Sequence, residues 1–253
     1  MKSILITGAA QGIGLATARR FAAQGWFVGL YDVNADALQQ LLASGEFPRA
    51  CGQVCDVTDR AQIEQALQQF SAASGGRLDV LVNNAGVLSS GRFEELDATA
   101  HQRMIDINIR GLTDVAQLAF PLLRDTPGAV LVNLCSASSI HGVPLLAVYS
   151  ASKFYVDGLT EALHIEWAEY DIRVTAVKPP VIDTAMGHQL NPQLTSKMGI
   201  GMAAEDVAAA IDKATGGRAT SHVLGAATKA WALVDKLMPG FLRHAIARYL
   251  TGF

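Results

Sequence analysis

The chain has 253 residues, of which 50% are hydrophobic and 17% charged, and its formal net charge is −3. This length and apolar content allow one domain with a sizeable core, and the lack of a basic surplus argues against nucleic-acid binding. The cysteines, Cys51, Cys55 and Cys135, have no metal-binding or disulfide spacing, so we predict neither. No apolar run suits a signal peptide or a membrane span, which predicts a soluble, cytoplasmic protein.

The first predicted strand, residues 3–6, ends at a turn with three glycines, and a helix is predicted over 13–24. Glycine permits positive φ and close approach of a ligand, and a helix N-terminus presents unpaired N–H groups with a partial positive charge. Three glycines alone are also typical of a structural turn, but this strand-to-helix context favours a pyrophosphate site. The candidate residues are Gly8, Gln11, Gly12, Ile13 and Gly14.

Acidic residues follow the next two predicted strands, 27–32 and 50–55. Asp32 could accept hydrogen bonds from an adenosine ribose and would repel a 2′-phosphate, which favours NAD over NADP. The alternative is that Asp32 only caps the helix predicted over 35–42. Asp56, followed by Val57, could accept from an adenine amino group.

Strands and helices alternate along the rest of the chain. A strand at 79–82 runs into Asn83-Asn84-Ala85-Gly86, and a long helical pattern covers 98–123. The order predicts a single doubly wound Rossmann-type α/β domain, residues 1–253, whose central parallel sheet is flanked by helices on both faces. Further strands are predicted at 129–134, 173–177 and 222–224, and further helices at 59–70, 149–167 and 204–214.

Tyr149 and Lys153 stand four residues apart at the start of a predicted helix, so their side chains share one face. A nearby ammonium favours the phenolate and lowers the phenol pKa, which suits a general acid or base. Ser136, at the end of the preceding strand, could hydrogen-bond the same oxygen. A tyrosine and a lysine at this spacing also occur on ordinary helix surfaces, so the pair alone does not decide the function.

In order and spacing, these motifs resemble the short-chain dehydrogenase/reductase family over nearly the whole chain. The motifs are Thr7-Gly8-x-x-x-Gly12-Ile13-Gly14, Asp56, Asn83-Asn84-Ala85-Gly86, Asn108, Ser136 and Tyr149-x-x-x-Lys153.

The resemblance implies a role for each matching position. The glycine loop would hold the pyrophosphate, and Asn83 with Ala85 and Gly86 would lie along the cofactor. Lys153 would also bond the nicotinamide ribose beside Tyr149, and Asn108 would anchor a water that links Lys153 to solvent. The Ile182 amide and the Thr184 hydroxyl would bind the carboxamide. Pro180 stands where the family usually has glycine, which forbids any glycine-only conformation there.

Two segments depart from a simple alternation. Residues 185–203 have no clean period and are predicted to form a lid over the substrate, with a partly disordered insertion as the alternative. Residues 226–253 carry an apolar helical stripe broken at Pro239-Gly240, which predicts two amphipathic helices. Packing on the domain, a role as a pocket wall or contact with a second subunit is favoured for them, and contact with a membrane surface is the alternative.

The sequence therefore predicts an NAD-dependent enzyme that interconverts an alcohol and the ketone or aldehyde of a mainly apolar substrate. The alternatives are an NADP-dependent carbonyl reductase, a dinucleotide-binding regulator without turnover, and a membrane-surface scaffold. A homodimer or homotetramer is expected, because apolar residues remain on the predicted helices 98–123 and 149–167. His141, in the segment before the catalytic helix, could contact the substrate, although a loop histidine more often faces solvent, and its role stays open.

Overall fold

The protein, described by a computed structural model over residues 1–198 and 201–251, is built on a seven-stranded sheet with the order β3-β2-β1-β4-β5-β6-β9. All neighbouring strands pair in parallel. The order reverses between β1 and β4, the switch point of a doubly wound sheet. The predicted fold class is thus confirmed. The strands are β1 Ser3–Thr7, β2 Phe27–Asp32, β3 Ala50–Val54, β4 Val80–Asn83, β5 Val130–Leu134, β6 Arg173–Lys178, β7 Ile182–Asp183, β8 Met202–Ala203 and β9 Ser221–Val223.

Helices cover both faces of the sheet, because alternate residues of each central strand are buried on opposite sides. Ile4 and Ile6 pack with α1 and α9, while Leu5 packs with α3 and α5. Burial on both faces explains why the strands read as continuous apolar runs. The helices are α1 Gly12–Ala23, α2 Ala35–Ala43, α3 Arg60–Ser74, α4 Ala98–Ile105, α5 Leu112–Arg124, α6 Ala147–Glu166, α7 Ala185–His188, α8 Pro192–Met198, α9 Ala204–Gly216, α10 Ala226–Leu237 and α11 Gly240–Thr251.

A π-helical turn, Asp106–Gly111, divides the long helix predicted over 98–123. The Asn108 side chain, fully buried in this turn, accepts from Val87 N at 2.8 Å and donates to Val87 O at 2.9 Å. Such turns insert one extra residue into a helix and are frequent at functional sites. The turn therefore ties α4 and α5 to the loop after β4.

The predicted lid is partly helical. It contains α7 and α8, and β8 at its C-terminal end pairs with β7, which lies just before it. Leu190 and Leu194 are buried against Leu145 and Leu146, so the described part of this segment packs on the domain. Residues 199 and 200 of the predicted lid lie outside the described residues.

The C-terminal segment forms the two predicted helices, α10 and α11, and residues 252 and 253 lie outside the described part. Asp235 is buried, whereas Leu237 and Phe241 are 76% and 73% exposed. Only part of the apolar stripe is therefore covered within this chain. Within the described ranges, no helix is long and apolar enough to cross a membrane.

Candidate active site

A continuous cavity of about 910 Å³ lies at the carboxyl ends of the strands. Its wall includes residues that follow each of the first six strands, from Gly8 after β1 to Pro179 after β6. Ligands of doubly wound folds bind at this edge, near the switch point. The topology therefore brings together most of the side chains that the sequence singles out.

The glycine loop has the conformation that the prediction requires. Gly8 has φ of 66°, and a Cβ on Gly14 would lie 2.0 Å from Gly8 O. Gln11, the N-cap of α1, makes no side-chain cap, and the first turn of α1 has no acidic residue. A helix N-terminus of this kind suits a phosphate group. Gly8, Gln11, Gly12 and Ile13 line the cavity, whereas Gly14 is buried beneath the loop.

The carboxylate of Asp32 is buried and fixed by the backbone. Its Oδ2 accepts from Ala10 N and its Oδ1 from Asn34 N, both at 2.9 Å. Asn34 is the N-cap of α2 and accepts from Ala37 N at 3.1 Å, so the interpretation of Asp32 as that cap is wrong. Each oxygen of Asp32 keeps a second lone pair for a ligand on the cavity side.

Asp56 borders the cavity beside Val57, in a turn after β3. Its Oδ1 accepts from the amide and the hydroxyl of Thr58, at 2.8 and 2.7 Å. These contacts leave Oδ2 as the oxygen for an additional donor. With Asp32, Asp56 places two carboxylates at one end of the cavity.

The Asn83 side chain does not lie along the cavity. It is 1% exposed and donates to Leu112 O at 2.8 Å, because the last residue of β4 points toward α5. Asn84 lines the cavity instead, and its Nδ2 donates to Thr7 O and Gly8 O at 2.9 and 3.0 Å. Asn84 thus fixes the glycine loop, and Ala85 and Gly86 continue the wall. From the sequence, only the rule that adjacent strand residues point to opposite faces could have indicated that one of the two asparagines faces the cavity and the other does not.

Tyr149, Ser136 and Lys153 converge on the same cavity from α6 and the end of β5. Tyr149 is half-buried, and the Lys153 Nζ lies 5.6 Å from its ring centroid. Lys153 is 5% exposed and donates to Leu134 O at 2.8 Å. The Ser136 Oγ accepts from Ser138 N at 3.2 Å and also hydrogen-bonds the phenol.

Sequence reasoning missed Ser152, whose Oγ accepts from Asn108 Nδ2 at 3.2 Å and links the π-helical turn to α6.

The pKa of the Tyr149 phenol departs from the sequence expectation. Burial raises it to about 12, and the hydrogen bond from Ser136 lowers it only in part. Burial also lowers the pKa of the Lys153 ammonium. The predicted depression is therefore wrong for the free protein, because the loss of hydration of a phenolate outweighs the other contributions.

The loop after β6 passes along the cavity with prolines at positions 179 and 180. Ile182 and Thr184, which the resemblance assigns to the carboxamide, both border the cavity. The Ile182 side chain is buried in the core, while the Thr184 Oγ1 caps α7 and accepts from Gly187 N at 3.2 Å. The threonine hydroxyl thus already has one partner within the protein.

The sequence model of the family described as short chain dehydrogenase matches residues 2–195, more than half of the chain. The chain belongs to the short-chain dehydrogenase/reductase family. It is therefore an oxidoreductase of this family, whose members use a nicotinamide cofactor and act on small molecules. The matched region includes the whole cavity except the part formed by α9, α10 and α11.

Two curated relatives illustrate the range of substrates among similar proteins. The chain is 35% identical over 190 residues to D-threitol dehydrogenase of Mycolicibacterium smegmatis, covering 74% of this chain and 73% of that protein. It is 36% identical over 191 residues to the 3-oxoacyl-[acyl-carrier-protein] reductase FabG of Thermotoga maritima, covering 75% and 77%.

Two solved structures share the fold and differ in the cofactor they contain. A 3-ketoacyl-(acyl-carrier-protein) reductase from Brucella melitensis, complexed with NADH, has a TM-score of 0.80 at 26% identity and covers 88% of this chain and 96% of its own. An alcohol dehydrogenase from Thermococcus sibiricus, complexed with 5-hydroxy-NADP, has a TM-score of 0.78 at 25% identity, with coverages of 88% and 96%. The likeness therefore leaves the choice between NAD and NADP open.

Proposed function

We propose that this protein is an NAD(H)-dependent dehydrogenase that interconverts an alcohol and the corresponding ketone or aldehyde. The observation that carries the proposal is the convergence of Tyr149, Ser136 and Lys153 in one cavity whose other end holds Asp32 and Asp56. The glycine cradle and the open N-terminus of α1 fit a dinucleotide pyrophosphate between these two ends. The nicotinamide, when bound, supplies or accepts a hydride.

Each polar side chain of the site has its own role in the proton transfer. Tyr149 gives a proton to the carbonyl oxygen in reduction and takes it from the hydroxyl in oxidation. Ser136 holds the same oxygen and polarises the bond. The Lys153 ammonium stabilises the phenolate, and Asn108 supports the adjoining backbone through Val87.

The substrate end of the cavity is mainly apolar. Its wall includes Val143, Leu146, Leu190 and Leu194, two of which come from the segment proposed as a lid, residues 185–203. Such a wall favours an apolar carbon skeleton and excludes water from the reacting carbon. We assign the lid role on this packing.

The preference for NAD rests on the carboxylate of Asp32 and on the side chain next to it. Asp32 is fixed by two backbone N–H groups, and Val33, which also lines the cavity, carries no charge. A 2′-phosphate would meet the negative charge of Asp32, and the neighbouring Val33 offers no cation to offset it. We expect kcat/KM to be at least about tenfold higher with NAD than with NADP, since about 1.4 kcal/mol of repulsion accounts for a factor of ten.

The test uses purified protein with a panel of alcohols and ketones and with each cofactor. Asp32→Asn removes the charge and keeps an acceptor oxygen for only one of the amides of Ala10 and Asn34, so it should relax the preference and raise KM less than Asp32→Ala does. Asp32→Ala should relax it and also raise KM for both cofactors. Equal efficiency of the wild type with NAD and NADP would overturn the cofactor assignment, and no turnover with any pair would overturn the proposed function.

A further inference from the structure

A histidine in the cavity wall is held by the C-terminal helices. His141 lies between β5 and α6, and its Nδ1 is 3.2 Å from Asp235 Oδ1 on α10. Its ring meets Trp231 edge-on, with centroids 5.9 Å apart. The side chains of His141 and Asp235 are only 18% and 10% exposed. The α10 helix thus places a buried carboxylate behind a histidine that borders the substrate end of the cavity.

The contacts of Asp235 determine which nitrogen of His141 carries the proton. The Oδ2 of Asp235 accepts from Arg243 Nη1 on α11 at 3.4 Å. An ionised carboxylate only accepts hydrogen bonds, so Nδ1 of His141 donates to it. No residue in the described ranges hydrogen-bonds Nε2. In the neutral ring, Nε2 is therefore an acceptor without a protein partner.

We propose that Nε2 of His141 accepts a hydrogen bond from a second, non-reacting hydroxyl group of the substrate. This inference rests on the proposed function and narrows the substrate class to hydroxylated alcohols, such as diols and the matching hydroxyketones. The neighbouring wall residues Val143 and Leu146 offer no such partner, so a second hydroxyl packed against these two side chains would stay unsatisfied. Asp235 is a positioning residue, because it acts on the substrate only through His141.

The kinetic test compares 1,2-cyclohexanediol with cyclohexanol. We expect the wild type to oxidise the diol with a kcat/KM about tenfold higher, the factor that one hydrogen bond of about 1.4 kcal/mol provides. His141→Phe should remove this preference and leave cyclohexanol within about twofold of the wild type. The control is His244→Phe, which changes an exposed histidine near His141 that does not line the cavity. Equal losses on both substrates in His141→Phe would overturn the proposal.

Two variants of Asp235 test its positioning role. Asp235→Asn keeps an acceptor for Nδ1–H and should retain most of the diol preference, whereas Asp235→Ala should raise KM for the diol and leave kcat for cyclohexanol unchanged. A full loss of preference in Asp235→Asn at an unchanged melting temperature would contradict the positioning role.

Imidazole 15N spectra test the inference without turnover. The wild type should show a proton on Nδ1 of His141, with the signal assigned by its absence in His141→Phe. The diol, added with the cofactor, should shift the Nε2 resonance, and cyclohexanol should not. A proton on Nε2 in the free neutral ring, or an Nε2 resonance unchanged by the diol, would overturn the proposal. If the wild type oxidises no alcohol, the proposed function fails, and these spectra still decide whether Nε2 binds a hydroxyl.

Discussion

The reactivity of Tyr149 depends on a balance between burial and nearby polar groups. Burial raises its pKa to about 12, and Ser136 is the neighbour that opposes this effect. Lys153 is itself buried, which lowers its own pKa, and its Nζ is engaged with Leu134 O. The phenol of the free protein is therefore neutral at physiological pH. Additional positive charge, as in the complex with oxidised nicotinamide, is needed to favour the phenolate.

The first prediction concerns Tyr149→Phe. Removing the hydroxyl should lower kcat by about 10²–10⁴-fold, the usual contribution of a general acid or base, and should leave cofactor affinity within about twofold. NADH fluorescence titration measures the affinity. Tyr155→Phe is the control, since Tyr155 lies two residues further along α6, is exposed and contacts Thr113. Substantial turnover by Tyr149→Phe would mean that another group moves the proton.

The second prediction is a difference between the pH profiles of the two directions. Reduction needs the neutral phenol, whose pKa of about 12 keeps it protonated, so this group should leave the reduction rate constant from about pH 6 to 9. Oxidation needs the phenolate, whose fraction grows about tenfold per pH unit below the pKa. Initial rates in both directions provide the measurement. An oxidation rate independent of pH, or a reduction rate that falls near neutral pH, would contradict the assignment.

Among the secondary structure elements, the glycine loop and α1 form a unit that depends on close backbone contact. The third prediction is that Gly14→Ala weakens cofactor binding by at least about tenfold and lowers the melting temperature, because its Cβ would lie 2.0 Å from Gly8 O. Gly158→Ala on α6 is the control, since nothing lies within 4 Å of the added Cβ. That change should be neutral or stabilise the protein by up to about 1 kcal/mol. Unchanged cofactor affinity in Gly14→Ala would show that the loop tolerates the shift.

Most strands and helices could be predicted from the sequence, because the patterns of apolar residues that indicate them are local. Apolar runs that end in glycine or a carboxylate gave the strands, and β2 matches its predicted bounds, 27–32. The division of the helix at 106–111 could not be predicted, since it depends on a long-range contact between Asn108 and the Val87 backbone. The placement of Tyr149 in the site could also be predicted from the local sequence. The direction of its pKa shift could not, because it depends on burial by segments that are distant in sequence.

The pairing of His141 with Asp235 is the feature of the cavity that is hardest to predict from the sequence. The two residues are 94 positions apart, and Asp235 stands among basic residues in a stripe that reads as an ordinary amphipathic helix. Only the packing of α10 and α11 over the cavity brings them together. The C-terminal helices are thus part of the cavity wall as well as a partly exposed surface.

At the scale of the whole molecule, apolar side chains remain exposed on α4 and α6. Leu112, in the predicted helix 98–123, is only 2% exposed and packs with Val156, because α5 begins there against the sheet. The exposed set is instead Ile105, Phe154, Tyr155 and Ile165, which are 41%, 44%, 39% and 77% exposed. Because α4 and α6 are in contact, we expect a second subunit to pack on the face that carries these side chains.

The last prediction is a homo-oligomer formed through this surface. Light scattering coupled to gel filtration should give a mass of two or four times the 26.8 kDa chain. Ile165→Asp should shift the wild-type species toward the monomer, because a charge placed in an apolar contact loses its hydration on association. Leu237→Asp, at a residue 76% exposed on α10, tests whether the C-terminal helices form the contact instead. A wild-type mass of only about 27 kDa would refute the oligomer. Dissociation by Leu237→Asp but not by Ile165→Asp would mean that the C-terminal helices form the interface.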